Sequence, residues 1–269
     1  MIVQHNITSM NANRQLGIVG KNLAKATEKL SSGYRINRAA DDAAGLSISE
    51  KMRSQVRGLN RASDNAQDGI SMIQTAEGAL EQQHAILQRA RELVVQGSNS
   101  AVLDKTSGDF DKIQDELKEL QEEFTSITST TQFNKKTLLD GTLNKAYLQV
   151  GANKEQGIEI TVSNVKWDGV TLTGAGKADS ALIEGIDDKI TEVSKKRSYL
   201  GAMQNRLEYR VKVDDNAAEN LQSAESTIRD TDMADEMTRF SKESILQQAA
   251  TSMLAQANQA NQGVLSLLQ

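Results

Sequence analysis

Apolar residues recur along most of this chain at alternating steps of three and four, and the places where that rhythm stops divide it into helices. Near the N-terminus Ala12, Leu16, Val19, Leu23, Ala26 and Leu30 keep the step and predict a helix with one coiled-coil seam. The segment from Ser31 to Asp42, SSGYRINRAADD, interrupts it. It reads as a connector in which Asp41 or Asp42 caps the next helix, and Arg35, Arg38, Asp41 and Asp42 read as a solvated, locally paired linker. From Asp42 to about Val95 the seam is Gly45, Ile48, Met52, Leu59, Ala62, Ala66, Gly69, Ile73, Ala76, Leu80, Leu87, Ala90 and Val94. This helix is about 80 Å long at about 1.5 Å per residue, and the Gly and Ala on its seam let neighbouring helices approach closely. Gly97 to Ser100 end it. A further helix, capped near Asp104 to Ser107, carries Phe110, Ile113, Leu117, Leu120, Phe124 and Ile127, and is expected to fold back on the long one and dissolve in SITSTT.

Between Gln132 and about Ala178 the period changes to two. Leu148 and Val150 alternate with Tyr147, Gln149 and Gly151, and Ile158, Ile160 and Val162 alternate with Glu159 and Thr161. This predicts an antiparallel hairpin with a long loop from Gly151 to Gly157, a third short strand near Val170 to Thr173, and Trp167 as partly buried packing. Helical spacing returns from about Ser180 to Asp232 through Ile186, Ile190, Val193, Leu200, Leu207, Val211, Ala218, Leu221 and Ile228, a helix expected to pack along the first long one. RDTDMADE, from Arg229 to Glu236, breaks the seam. The last stretch, Ser244 to Gln269, has no charged side chain, and Leu246, Ala250, Met253, Ala257, Ala260, Val264 and Leu267 follow one another by fours and threes. The amides of Gln247, Gln248, Gln256, Asn258, Gln259, Asn261 and Gln262 argue against a membrane span. An Ala-rich seam buries little area per residue, so this tail is expected to order on assembly. The fold class is thus mainly α, a long antiparallel coiled-coil helical bundle with a small antiparallel β-hairpin tip. Its expected parts are paired terminal helices (1–40 and 233–269), a helical rod (41–131 and 179–232) and the tip (132–178).

Composition narrows the function. The chain of 269 residues is 38% hydrophobic and 3% aromatic and has no Pro, which suits long helices, since a mid-helix Pro costs about 3 kcal/mol. It has no Cys and two His, His5 and His84, neither in a metal-ligand spacing. There is no phosphate loop and no nucleophile turn, so neither an enzyme nor a cofactor is indicated. The carboxylates Asp115, Glu116, Glu119, Glu122 and Glu123 read as a solvated helix face, and Asn6-Ile7-Thr8 is a chance-level glycosylation sequon. A net charge of −5 without a basic stripe argues against nucleic acid or an anionic membrane as partner. The first residues, MIVQHNITSMNANRQL, lack a basic n-region and an apolar h-region, so any export is expected to use a route without a secretory signal peptide.

The run LSSGYRINRAADDAAGLSISEKMRSQVRGLNRASDNAQDGISMIQTAEGALEQQHAILQRARELVVQ from Leu30 closely resembles the N-terminal region of bacterial flagellin, and ANQANQGVLSLLQ resembles its C-terminal region. The resemblance covers about 1–140 and 180–269. It implies a secreted structural subunit that polymerises into the flagellar filament for swimming motility, with export through the type III apparatus, a junction and a filament cap. It also implies a secretion chaperone on the C-terminal helix from about Ser241 to Gln269. The terminal seam of Leu16, Val19, Leu23, Leu30, Leu246, Ala250, Met253, Ala257, Val264 and Leu267 then pairs the inner helices. LQRARELVVQ resembles the segment read by the host Toll-like receptor 5, implying contacts on Gln88, Arg89, Leu93 and Gln96, with Glu116 on the next helix. Alternative readings are a hook-filament junction protein or, from another class, a coiled-coil adaptor.

Overall fold

The computed structural model describes residues 6–99, 108–173 and 177–266. In chain order the elements are α1 (Ile7–Ser32), α2 (Ala43–Gly97), α3 (Asp109–Thr130), β1 (Gln132–Phe133), β2 (Lys136–Thr137), β3 (Ala146–Gln149), β4 (Gly157–Ile160), α4 (Lys177–Arg229) and α5 (Met233–Ser266). They form two compact units, one of 1–55 with 219–269 and one of 56–218. The cap expected near Asp104 to Ser107 lies outside the described residues.

In the unit of 56–218, α2 buries Leu59, Ala62, Ala66, Ile73, Ala76, Leu80, Leu87, Ala90 and Val94, the positions its seam predicts. The α4 seam answers with Ile186, Val193, Leu200, Leu207 and Ala218. The two run antiparallel, since Arg91 meets Asp187 at 2.7 Å while Ser63 donates to Asp215 at 2.9 Å. Helix α3 folds back on α2 as expected and buries Phe110, Ile113, Leu117 and Phe124. Gln83 Nε2 donates to Thr128 Oγ1 at 2.8 Å, and Arg89 pairs with Glu116 at 2.8 Å. SITSTT does not dissolve. The helix continues to Thr130 because the hydroxyls of Thr125, Thr128 and Thr130 donate to carbonyls four residues back, a bond that occupies the group otherwise free to compete for the backbone.

The tip contains the expected hairpin, β3 with β4, in the register Tyr147↔Glu159 and Leu148↔Ile158, with Ile158, Ile160 and Val150 buried. Two features differ from the sequence reading. A second hairpin, β1 with β2, turns at Asn134 and Lys135 with φ of 50° and 64°. That is the left-handed pair a tight hairpin needs, but Lys gives no sequence signal for it. The third strand expected at Val170 to Thr173 is extended chain without a ladder: Leu172 N donates to Gln114 Oε1 at 2.8 Å and Gln114 Nε2 to the Val170 carbonyl at 3.2 Å. One side-chain amide of α3 takes the place of a neighbouring strand. Trp167 is buried and meets Phe124 edge-on at 5.6 Å.

Candidate assembly and recognition surfaces

In the other unit, α1 packs along α5. The pair is antiparallel: Asn6 Nδ2 donates to the Ala257 carbonyl at 2.9 Å at one end, and Arg35 N to the Arg229 carbonyl at 2.7 Å at the other. On α1 the covered face is Ser9, Ala12, Leu16, Val19, Leu23, Ala26 and Leu30, which is the predicted seam extended by one position. On α5 the covered positions are Glu236, Phe240, Glu243, Gln247, Ala250, Leu254 and Ala257. Ala250 and Ala257 face α1, but Leu246 and Met253 are 41% and 62% exposed, and Gln247 and Leu254 stand in their places. The apolar stripe of α5 is wider than one seam, and α1 covers only its polar-leaning edge. Val264, in α5, and Leu267 lie where the structure describes no side chain. A groove of about 520 Å³ opens between the helices, floored by Ala12, Ala250 and Ala257, because small seam residues leave it unfilled. The uncovered apolar residues are Ile7, Met10 and Ile18 on α1, and Met233, Met237, Ile245, Leu246 and Met253 on α5.

The two connectors join more tightly than a solvated linker. Tyr34 and Asp230 form an antiparallel bridge, Thr231 N donates to the Gly33 carbonyl at 3.0 Å, and the Arg229 guanidinium lies 4.7 Å from the Tyr34 ring centre while bonding Glu50 at 2.8 Å. Arg35 donates to the Ile228 carbonyl and Arg38 to Glu28. Asp42 caps α2 through Gly45 N, whereas Asp41 accepts from Asn37 N and Arg38 N. The bond from Arg229 holds the Glu50 carboxyl below its usual range, partly offset by lost hydration. The seam position Ile48 is 47% exposed, and Ser49 is buried in its stead, its hydroxyl satisfied by the Leu46 carbonyl. Sequence spacing could not show this clasp, whose partners are almost two hundred residues apart.

The residues implied as receptor contacts lie in the unit of 56–218. Gln88, Arg89 and Gln96 are exposed on α2, and Glu116 is exposed on α3. Arg89 grips Glu116 through Nε at 2.9 Å and Nη2 at 2.8 Å, and also meets Glu92, so its pKa is raised mainly by Glu116. Gln88 Nε2 lies 3.0 Å from His84 Nε2. Leu93 differs. It is 2% exposed and packs in the core, so this conformation offers no Leu93 side chain to a partner. A site that sequence reading missed is Asp214, on the α4 seam between Leu207 and Ala218. It is almost fully buried, paired to Arg210 at 2.9 Å, and its pKa is raised by lost hydration against the opposing pull of Arg210.

Residues 3–144 match the bacterial flagellin N-terminal helical region, and residues 183–268 match the C-terminal helical region. The chain belongs to the bacterial flagellin family. It is 54% identical to a flagellin of Halalkalibacterium halodurans and 45% identical to a flagellin of Bacillus subtilis, each alignment covering all of both chains. It is 47% identical, again over both whole chains, to the flagellar filament 31.3 kDa core protein of Treponema maltophilum. Flagellins are structural proteins, and this chain is a subunit of a homopolymeric filament outside the cell. No helix among the described residues is long and apolar enough to cross a membrane.

Proposed function

We propose that the paired terminal helices α1 and α5 form the inner layer of the filament, that the unit of 56–218 forms the surrounding layer, and that residues 132–178 face outward as its tip. The observation that carries this reading is the apolar stripe that α1 and α5 leave uncovered around the pair. Leu246, Met253 and Ile245 on α5 and Met10 on α1 are all exposed, more large apolar side chains than a helix pair standing alone in water calls for, and further copies would bury them. The same stripe is the surface a secretion chaperone shields before export, and the cap and junction proteins meet subunits through it. The test is seeded filament elongation followed by electron microscopy. Leu246→Asp with Met253→Asp is expected to leave the monomer's thermal unfolding unchanged, because both side chains are solvated there, and to abolish elongation. Normal filaments from that variant would sink the assignment.

A second reading rests on Arg89 and Glu116, which bridge α2 and α3 with Gln88 and Gln96 exposed beside them. Toll-like receptor 5 engages this face of the monomer. Arg89→Ala is expected to weaken binding to the receptor ectodomain by about tenfold or more, the loss of one charge-assisted contact. Unchanged affinity by surface plasmon resonance would refute it.

A further inference from the structure

Helix α4 carries a second stripe that the monomer leaves uncovered. Lys195, Tyr199, Ala202, Arg206, Tyr209 and Val213 follow one another by alternating fours and threes, and all six are exposed, on the face away from the buried seam of Val193, Leu200 and Leu207. Tyr199, Tyr209 and Val213 are 40%, 69% and 55% exposed. Two clefts lie along the stripe, about 500 Å³ beside Lys195 and Tyr199 against Thr161 and Val162, and about 360 Å³ beside Arg206, Tyr209 and Val213 against Gly157 and Ile158. The start of β4 with Gln156 before it, and Thr161 to Ser163 just after the strand, thus line one side of these clefts and α4 the other. A stripe at this spacing is shaped for another helix. Lys195 and Arg206 have no carboxylate partner among the described residues.

The outer face of α3 is the complement. Asp111, Asp115, Glu119, Glu122 and Glu123 are all exposed, and none forms an ion pair among the described residues. Asp111 and Glu122 have the same sequence separation on their helix as Lys195 and Arg206 have on theirs, about 16 Å of rise in each case. We propose that the α4 groove docks the α3 acidic face of a second copy of this chain, antiparallel, with Glu122 on Lys195 and Asp111 on Arg206. The Tyr199 and Tyr209 hydroxyls donate to the carboxylates between, and the aliphatic stem of Lys118 covers the apolar floor. Such a contact joins two different patches, so it is heterologous and propagates into an open helical array instead of closing on itself. The proposal rests on the filament reading above and adds to it the surface that selects the neighbour.

Charge reversal tests it on the full-length chain, by seeded elongation at fixed salt. Lys195→Glu with Arg206→Glu is expected to slow elongation at least about tenfold, as is Asp111→Lys with Glu122→Lys, because each sets like charges against each other across the contact. The chain carrying all four substitutions is expected to recover to within about threefold of the parent, since every pair is then opposite again. All four positions are exposed, and circular dichroism of each monomer is expected to match the parent. Lys195→Gln with Arg206→Gln, which introduces no new charge, is expected to give a smaller slowing. If the two-site reversals elongate like the parent, or the four-site chain is no better than either, the docking is overturned. If the parent chain itself does not elongate, the filament reading fails instead, and that result is separable from the others.

Discussion

Glu50 shows how much of the connector clasp hangs on one carboxylate. Arg229 reaches it across the unit and depresses its pKa below the ordinary value of 4.5. A depressed acid contributes stability that is present above its unfolded pKa and is lost as pH falls through the lower folded value. Thermal unfolding of the parent and of Glu50→Gln is therefore expected to differ at neutral pH, with the parent more stable, and to converge once the pH drops below the usual glutamate range. Gly58 makes a steric case. A Cβ there meets the Ala152 Cβ at 2.9 Å and its Cα at 3.3 Å, and the Cα cannot swing aside as a side-chain end would. Gly58→Ala gains about 1 kcal/mol of helix propensity but is expected to lose about 1–3 kcal/mol to overpacking, so calorimetry is expected to give a lower Tm.

Among the elements, the helices of 56–218 were legible because each buried face is a run of Leu, Ile, Val and Ala at the step the helix repeats. Leu80 on α2 and Leu117 on α3 are each 1% exposed. Truncation of either to Ala is expected to cost about 2–5 kcal/mol in denaturant unfolding, the spread reflecting how far the cavity relaxes. Helical glycines without neighbours act the other way. Gly78 on α2 and Gly185 on α4 have nothing within 4 Å of a built Cβ, so Ala at each is expected to raise the chain's stability by about 0.5–1 kcal/mol. The short elements were less legible. β1 and β2 turn on a Lys in the left-handed region, and Val170 to Thr173 is tethered by the Gln114 side chain, neither of which leaves a periodic trace.

For the whole molecule, the uncharged stretch from Ser244 to Gln269 is expected to depend on neighbouring subunits for its order. Its covered face toward α1 is Gln247, Ala250, Leu254 and Ala257, which is too little apolar area to hold a long helix firmly. Circular dichroism is expected to show helicity rising when monomers assemble, and a chain lacking 244–269 is expected to show no rise and no filaments. Equal helicity before and after assembly would count against an ordering tail.

The sequence alone determined the class of the fold, the α1 seam, the seams of the long helices within 56–218, the hairpin of β3 and β4, and the family. These follow from local periodicity and from residues adjacent in the chain, which a linear string records. Tertiary structure alone decided which half of the wide α5 stripe faces α1 and which stays outward, that Leu93 is core while Arg89 and Glu116 join across two helices, and that Tyr34, Glu50 and Arg229 close a clasp. Those outcomes depend on rotation of one helix about its axis relative to another, and on pairs distant in sequence, for which spacing along one strand of text carries no phase.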